Sequence, residues 1–167
     1  MKTMNGYSFC VQMRLFEHIM MLRKQKGGFL MATIQDVIDG KIDIPESERL
    51  LGVKVIGGDM ATNEVVCEWT IEEQHLNRAG IALGGFTAAV ADVAIGYAGA
   101  LVMEEGYTFT SVNLVTTFHR PIHLGTAIFT ARLKRRGRTM LYGEVEITQE
   151  GKLVGDMVTS LMTFPVR

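Results

Sequence analysis

The sequence predicts an α+β domain in which a curved antiparallel sheet wraps one long helix. Two observations carry this prediction. Residues 86–104 form a run of alanine, glycine and aliphatic side chains that is too long for a strand and rich in the best helix former. Four strand-like runs follow, over 109–120, 126–136, 139–149 and 152–164. Their short connections favour antiparallel pairing, because parallel strands need long crossovers.

The composition is typical of one globular domain. The chain has 167 residues, 47% hydrophobic and 21% charged, and is long enough to bury a core without disulfides or metals. A net charge of −1 provides no basic field for nucleic acid. The two cysteines, Cys10 and Cys67, have no CxxC spacing. We therefore expect free thiols and a cytoplasmic location.

Residues 1–28 predict an amphipathic helix. The segment carries five basic residues against Glu17 alone, and its apolar positions recur every three or four residues, at Phe9, Met13, Phe16 and Met20. Arg14 and Glu17 interrupt any signal-peptide core, so a packing helix or a loose extension is favoured over a targeting segment. We divide the chain into an N-terminal helical extension, 1–44, and a main domain, 45–167.

Two shorter elements precede the long helix. Residues 33–39 predict a helix with Thr33 as its cap and Gly40 as its stop. Residues 50–71 predict two strands around a turn at Gly57-Gly58-Asp59. Beyond the long helix, residues 109–120 alternate as one strand, with Val112, Leu114, Thr116 and Phe118 on one side, and Pro121 marks an edge or a strand end.

The long helix carries a single carboxylate, Asp92, in its middle. Alanine and glycine occur on nearly every face, which predicts a helix that is closely wrapped on most sides. Its length would allow a membrane span, but a central aspartate costs about 2.5–3.5 kcal/mol on insertion and the small residues return little. We therefore predict no membrane span and look for a reason to place an acid there.

The stretch 75-HLNRAGIALGG-85, together with Asp92, resembles the hot-dog-fold thioesterases, and within them the PaaI-like acyl-CoA thioesterase group. The positions that match the group's pattern are Asn77, Gly80, Gly84, Gly85 and Asp92. The later segments SVNLVTTFHRP and RRGRT are similar to its third-strand and hairpin motifs, so the resemblance covers roughly residues 45–165. One position departs from the pattern: Leu83 stands where the group usually has a histidine that supports the thioester end of the site.

The resemblance implies a fold, an activity and a set of roles. It implies a hot-dog fold and the hydrolysis of acyl-CoA to free acid and CoA, with no metal and no cofactor beyond the coenzyme A of the substrate. Gly84 would polarise the thioester carbonyl, Asp92 would come from the opposite subunit, and Ser111 would position the water. Basic hairpin residues would hold the nucleotide end of CoA; we assign this role to Arg135, Gly137 and Arg138.

Elementary chemistry supports these roles. The first N–H groups of a helix have no internal partner, and glycine lets a ligand approach the Gly84 or Gly85 N–H closely. Asp92 lies eight residues after Gly84, about 12 Å along a helix, so one carbonyl can meet both only if they come from two chains. We therefore predict a homodimer or a dimer of dimers. Asp92 would act as general base on water or as nucleophile.

Each of these residues also has a structural interpretation. Asn77 either orients the water or the acid or is a turn residue, and Ser111 can be an ordinary strand hydroxyl. Asp92 can bond to neighbouring backbone, the glycine pair can simply permit a tight turn, and the hairpin arginines can be a solvated tip. Four further apolar residues could line an acyl tunnel or belong to the core: Phe86, Val90, Tyr97 and Met103.

Other functions are less well supported. His119 and His123 have i, i+4 spacing, but Pro121 lies between them in a strand context, so we predict no metal site. A hot-dog hydratase or dehydratase would use a His–acid pair near the helix, and Leu83 argues against that. A non-catalytic acyl-CoA-binding or regulatory hot-dog domain stays open, because Leu83 replaces a residue of the thioester site.

Overall fold

The computed structural model describes residues 29–104 and 106–166. The predicted helix in 1–28 lies outside these residues. Within these ranges, three helices precede or interrupt the strands: α1 (Phe29–Ile38), α2 (Glu46–Leu51) and α3 (Gly84–Val102). The strands are β1 (Val53–Asp59), β2 (Glu64–Ile71), β3 (Tyr107–Ser111), β4 (Val115–Phe118), β5 (Gly125–Arg136), β6 (Met140–Gln149) and β7 (Lys152–Pro165), and a short 3-10 turn covers Glu73–His75.

All seven strands form one antiparallel sheet in the order β1-β2-β5-β6-β7, with β3 and β4 both pairing with the far side of β7. Helix α3 packs on the inner face of this sheet, chiefly against β5 and also against β2 and β6. This arrangement confirms the predicted α+β fold of one long helix against an antiparallel sheet. It leaves two edges, at β1 and at β3/β4.

Close packing of α3 on the sheet depends on a missing side chain in β6. A methyl group at Gly143 would lie 2.6 Å from Cδ1 of Ile95, closer than atoms can approach. Around this contact the inner faces of β5 and β6 bury every second residue, as in Leu141, Val145 and Ile147. The strand-like runs predicted over 126–136 and 139–149 are thus confirmed as β5 and β6.

The helix predicted over 33–39 exists but is longer, and it covers Phe29–Ile38 in the described residues. Thr33 is therefore an interior residue of α1 rather than its cap. Gly40 ends the helix as predicted, in a left-handed conformation with a φ of +68° that favours glycine.

The predicted turn at Gly57-Gly58-Asp59 is wrong, because these residues belong to β1. The strand has a register shift between Val55 and Gly57, and a methyl group at Gly58 would lie 3.0 Å from Ile34 of α1. Gly58 thus serves the packing of α1 on the sheet edge. The chain turns over residues 60–63, where Asp59 Oδ1 accepts a hydrogen bond of 2.8 Å from the Ala61 N–H.

The single strand predicted over 109–120 is interrupted by a bulge. Three residues lie between Ser111 and Val115, but only two lie between their partners on β7, Leu161 and Val158. The extra residue is held by Asn113, whose backbone carbonyl accepts from Thr159 Oγ1 at 2.6 Å and whose Oδ1 accepts from the Ser160 N–H at 2.8 Å. The strict alternation predicted for Val112 to Phe118 therefore fails, and β3 ends at Ser111.

Helix α3 is covered on fewer sides than predicted. The side facing the sheet is fully buried, but a stripe of mostly small residues stays half-buried: Ala88, Ala89, Asp92, Gly96 and Ala100. By length and composition α3 is also the one helix among the described residues that could cross a membrane, and 50% of it is buried inside the fold, as in a core helix. Among the described residues, the face of α3 that carries Asp92 therefore stays partly open.

A buried acid ties α2 to α3. Tyr97 of α3 donates a hydrogen bond of 2.6 Å to Oε2 of Glu48, which is buried beneath α2. Burial raises the pKa of Glu48, and the bond from Tyr97 opposes that rise. The neighbouring Cys67 is a free thiol, as predicted, and burial raises its pKa to about 12, so it is unreactive.

We expect Glu48→Gln to stabilise the protein at neutral pH by on the order of 1 kcal/mol. Because the folded state raises the pKa of Glu48, its ionisation costs stability as the pH rises above the ordinary value of 4.5. Glutamine keeps an acceptor for Tyr97 without the charge. Urea unfolding from pH 4 to pH 8 should show the gain growing with pH, and Glu46→Gln is the matched change at an exposed position of the same helix. A gain that is equal at both ends would contradict the assignment.

Candidate active site

Asp92 lies midway along the open face of α3 and contacts the end of β3. Ser111 Oγ donates a hydrogen bond of 2.6 Å to Asp92 Oδ1. The strand positions this hydroxyl: Phe109 contacts the helix at Gly99, so Ser111, two residues on, points to the same side. The structure therefore brings together two of the predicted site residues.

No lysine or arginine in the described part of the chain pairs with Asp92. Burial raises the pKa of Asp92, and the hydrogen bond from Ser111 opposes the rise. Such a carboxylate is a better proton acceptor than an exposed one. With Oδ1 held by Ser111, Oδ2 is left to meet a water or a carbonyl carbon.

The start of α3 offers backbone donors. Leu83 is the N-cap, and its carbonyl accepts from the N–H groups of Phe86 and Thr87 at 3.0 and 3.3 Å. The N–H groups of Gly84 and Gly85 have no acceptor among the residues that the structure describes. Gly84 is half-buried beside the ring of Phe118, and Gly85 is exposed with open space around it. A carbonyl oxygen can therefore approach these donors.

Leu83 adds no polar group to this helix start. Its side chain is 49% exposed and makes no capping hydrogen bond. At the position where the PaaI-like group usually has a histidine, this chain presents an apolar surface. The side chain of Leu83 therefore cannot polarise a carbonyl at the helix start.

Asn77 has a clear structural role in the loop before α3. Its Oδ1 accepts from the Ala79 N–H at 2.8 Å and lies 3.5 Å from the Ile81 N–H. Its backbone N–H and carbonyl also bond within the loop, to Ile81 and Gly80. The turn interpretation is thus supported, while the side-chain N–H₂ has no partner in residues 29–104 or 106–166.

The basic hairpin between β5 and β6 divides into paired and free cations. Lys134 lies 2.7 Å from Glu144, and Arg136 pairs with Glu104. Arg135 and Arg138 are exposed, and neither forms an ion pair with a described residue. The two arginines that we assigned to a phosphate group are thus the two that remain available.

Gly137 makes this hairpin tight. Its N–H donates to the Met140 carbonyl at 2.8 Å, and a methyl group on it would lie 2.9 Å from that oxygen. Beside the turn is a cleft of about 450 Å³ at the C-terminal end of α3; it is lined by residues that include Met103, Tyr107, Arg136, Gly137, Arg138 and Thr163. Gly137 and Arg138 therefore face a cavity, whereas Arg135 lies outside its lining.

The four proposed tunnel residues are mainly core residues in a single chain. Val90, Tyr97 and Met103 are buried, and Phe86 is half-buried against the ring of His75. The described residues hold no group of three metal-ligating side chains. Instead, His119 Nε2 lies 2.5 Å from Asp156 Oδ2, and the His123 backbone N–H donates to Gln149 at 3.0 Å.

Sequence reasoning gave no role to His75, although the quoted motif begins with it. The imidazole is buried and stands under the first turn of α3. A lone histidine has no spacing signal, so only its burial and contacts single it out.

Removing the Ser111 hydroxyl should shift the pH dependence of any reaction that needs ionised Asp92. Because the bond from Ser111 lowers the pKa of Asp92 against burial, Ser111→Ala should move the acid limb of kcat to higher pH. We also expect a loss of about tenfold on the plateau, as for one hydrogen bond to a charged group. Ser111→Thr keeps a hydroxyl and should stay nearer the parent; an unmoved acid limb in Ser111→Ala would contradict the pairing.

A family profile and individual sequence relatives agree on the protein family of this chain. The profile of the Thioesterase superfamily matches residues 79–155, which include Gly84, Asp92 and Ser111. Human acyl-coenzyme A thioesterase 13 is 33% identical over 125 residues, covering 73% of this chain and 88% of that protein. The mouse protein of the same name is 31% identical over 124 residues, covering 72% and 87%.

Solved structures agree with these sequence relatives. A phenylacetic acid degradation-related protein of Ralstonia eutropha superposes with a TM-score of 0.72 at 26% identity, over 77% of this chain and 98% of that chain. A point mutant of the phenylacetic acid degradation protein PaaI of Thermus thermophilus gives a TM-score of 0.63 at 26% identity, over 69% and 96%. Both matches cover nearly the whole of the solved chain.

Proposed function

The chain belongs to the thioesterase superfamily and is a thioester hydrolase, and from that premise we propose that it hydrolyses acyl-coenzyme A to free acid and CoA. The observation that carries the proposal is the Asp92–Ser111 pair on the open face of α3, at 2.6 Å. The similar proteins named acyl-coenzyme A thioesterase 13 support the carrier. The site needs no cofactor beyond the coenzyme A of the substrate.

The proposed reaction uses a carboxylate, a water and a backbone donor. Asp92 accepts a proton from the water while the water oxygen bonds to the thioester carbon. The carbonyl electron pair moves to oxygen, where the Gly84 N–H stabilises it. When the pair returns, the C–S bond breaks, and Asp92 returns the proton to the leaving CoA thiolate. Attack by Asp92 itself, through an anhydride that water then hydrolyses, gives the same products.

We propose that two chains share each site. Gly84 and Asp92 are eight residues apart on one helix, so about 12 Å separates them along its axis. The side chain of Asp92 cannot cover that distance, but the partner subunit's Gly84 can approach it. Support comes from the half-buried face of α3 and from an apolar edge at β3/β4, with exposed Val112, Leu114, Val115 and Phe118. A second copy on this side would cover both.

The cleft beside the β5–β6 hairpin is the proposed seat for the nucleotide end of CoA. Asp92 and Val102, which lines the cleft, are ten residues apart, about 15 Å along α3. The extended pantetheine arm can span such a distance. Arg138 at the cleft and Arg135 beside it supply free guanidinium groups for phosphates.

Replacing Arg135 and Arg138 together by glutamine should raise KM for acyl-CoA by about 3- to 10-fold and leave kcat near the parent value, because exposed charge pairs contribute modestly. The matched control is Lys134→Gln, whose cation already pairs with Glu144. A thioester of N-acetylcysteamine, which lacks phosphates, should be hydrolysed equally by parent and double variant. Equal losses on both substrates would mean that the two arginines do not bind the phosphates of CoA.

The proposed activity is tested by thiol release from short, medium, long and aromatic acyl-CoAs. We expect turnover on at least one class, with a rate that falls as the pH drops through the pKa of Asp92. Binding of acyl-CoA without thiol release on any substrate would instead identify the non-catalytic binding domain that Leu83 keeps open.

The shared site is tested by mixing two inactive variants. In a dimer of one Asp92→Asn chain and one Gly84→Ala chain, one of the two sites has both native residues. Co-expression with two tags and isolation of the mixed dimer should therefore restore about half of the parent activity per dimer. A mixed dimer as inactive as its parents would show that each site lies within one chain.

A further inference from the structure

His75 lies under the start of α3, the helix that carries Asp92. Its side chain is 3% exposed, and its ring centroid lies 5.2 Å from that of Trp69 on β2 and 5.2 Å from that of Phe86 on α3. Phe86 is the third residue of α3 and follows the Gly84-Gly85 pair directly. The imidazole therefore connects the sheet to the first turn of the helix that carries the backbone donors.

The hydrogen bonds of His75 close the loop that leads into α3. Its Nδ1 accepts from the Glu72 N–H at 3.0 Å, and its own N–H donates to the Glu72 carbonyl at 2.9 Å. Its carbonyl accepts from the Leu83 N–H at 2.8 Å. One residue thus holds both ends of the segment 72–83.

The hydrogen bond from the Leu83 N–H to the His75 carbonyl acts next to the peptide that carries the Gly84 N–H. Leu83 precedes Gly84, so the Leu83 carbonyl and the Gly84 N–H lie in one rigid peptide plane. The Leu83 N–H is fixed by His75, and the Leu83 carbonyl is fixed by the first turn of α3. The direction of the Gly84 N–H therefore depends on where His75 holds Leu83. With Leu83 apolar, no side chain at that position can correct a misdirected donor.

Of these three hydrogen bonds of His75, only the one that Nδ1 accepts requires the histidine side chain. Because Nδ1 receives the Glu72 N–H, the neutral ring carries its proton on Nε2. Without that acceptor the 3-10 turn at Glu73–His75 loses half of its reciprocal capping with Glu72. His75 could then rotate and carry its carbonyl, and with it Leu83, away from the present position.

We infer that His75 is a positioning residue for thioester hydrolysis: through its Nδ1 acceptor and its carbonyl it aims the Gly84 N–H at the thioester oxygen. The inference rests on the proposed function and extends it to a residue that does not touch the substrate. Its signature is a loss of kcat without a loss of substrate binding, since a misaligned donor weakens the transition state more than the bound thioester.

Two substitutions of His75 separate the effect of the Nδ1 acceptor from the effect of ring packing. His75→Phe keeps a ring between Trp69 and Phe86 but cannot accept from Glu72, and it should lower kcat by about 10- to 100-fold with KM within about twofold. His75→Asn places an amide oxygen near the position of Nδ1 and gives up the ring. It should lose thermal stability yet keep kcat closer to the parent than His75→Phe does. Ile34→Val, a buried change where α1 packs on Gly58 and so at the opposite end of β2 from His75, serves as the control for lost stability alone.

The measurement is steady-state kinetics on the best acyl-CoA with a melting curve for every variant. A kcat for His75→Phe within twofold of the parent would overturn the inference. So would a kcat that follows melting temperature across all three variants, because that pattern is purely structural. The proposed function is tested separately by the parent enzyme: turnover by the parent with an unaffected His75→Phe variant removes this inference alone, and no turnover by the parent removes both.

Discussion

Asp92→Asn is expected to lower kcat for acyl-CoA hydrolysis by about 10²- to 10⁴-fold. Asparagine has nearly the size of aspartate and its oxygen can still accept from Ser111 Oγ, so the local structure should persist. It cannot take a proton from water and cannot form an anhydride. The loss should therefore appear in kcat, with KM little changed, in a thiol-release assay at saturating acyl-CoA.

The melting temperature of Asp92→Asn shows whether the loss of activity is separate from a loss of folding. Because burial raises the pKa of Asp92, the ionised side chain costs stability in the folded protein, and that cost grows as the pH rises. Asp92→Asn should thus melt no lower than the parent at neutral pH. Asp59→Asn, at the exposed end of β1 where the amide oxygen can still accept from Ala61, is the matched change away from the site. Residual activity above about one tenth of the parent would exclude Asp92 as base or nucleophile.

The parts of the fold that the sequence predicted are those set by local composition and period. The long alanine-rich run predicted α3, and the strand-like runs over 126–136, 139–149 and 152–164 predicted β5, β6 and β7. The break between β3 and β4 was beyond such reasoning. It is fixed by bonds from Thr159 and Ser160 to Asn113, 46 and 47 residues apart, and no local pattern reports them.

In the candidate site, too, features set by local sequence were predicted and features set by distant contacts were not. Asp92 stood out because a lone carboxylate in an apolar helix needs a reason, and its contact with Ser111 agrees with the roles that the family resemblance suggested. Which basic side chains of the hairpin stay free depends on the acids that pair with the others, Glu144 with Lys134 and Glu104 with Arg136. His75 was missed because its place between two rings and two backbone partners exists only in the folded loop.

Gly84→Ala is expected to lower kcat by about 10²-fold, the order of loss when one oxyanion donor is removed. A methyl group there would lie 2.9 Å from Cζ of Phe118 and 3.1 Å from Cε2. Either the helix start moves away, or the ring moves toward solvent across the approach to the donors. In both cases the thioester oxygen loses its contact with the Gly84 N–H. Stability should change little, because alanine is the better helix former.

The ring of Phe118 decides between these two movements, because it is 51% exposed and can be removed without opening the core. In Gly84→Ala/Phe118→Ala the methyl group meets no ring, so the helix start can keep its native position. Measured against the single Phe118→Ala variant, the added methyl group should then cost about tenfold less than it does in the parent. An equal cost in both backgrounds would mean that the methyl group itself blocks the oxygen, and that glycine is needed for access rather than for packing. A Gly84→Ala variant with kcat within about threefold of the parent would remove the Gly84 N–H from the mechanism and leave the exposed Gly85 N–H as the donor.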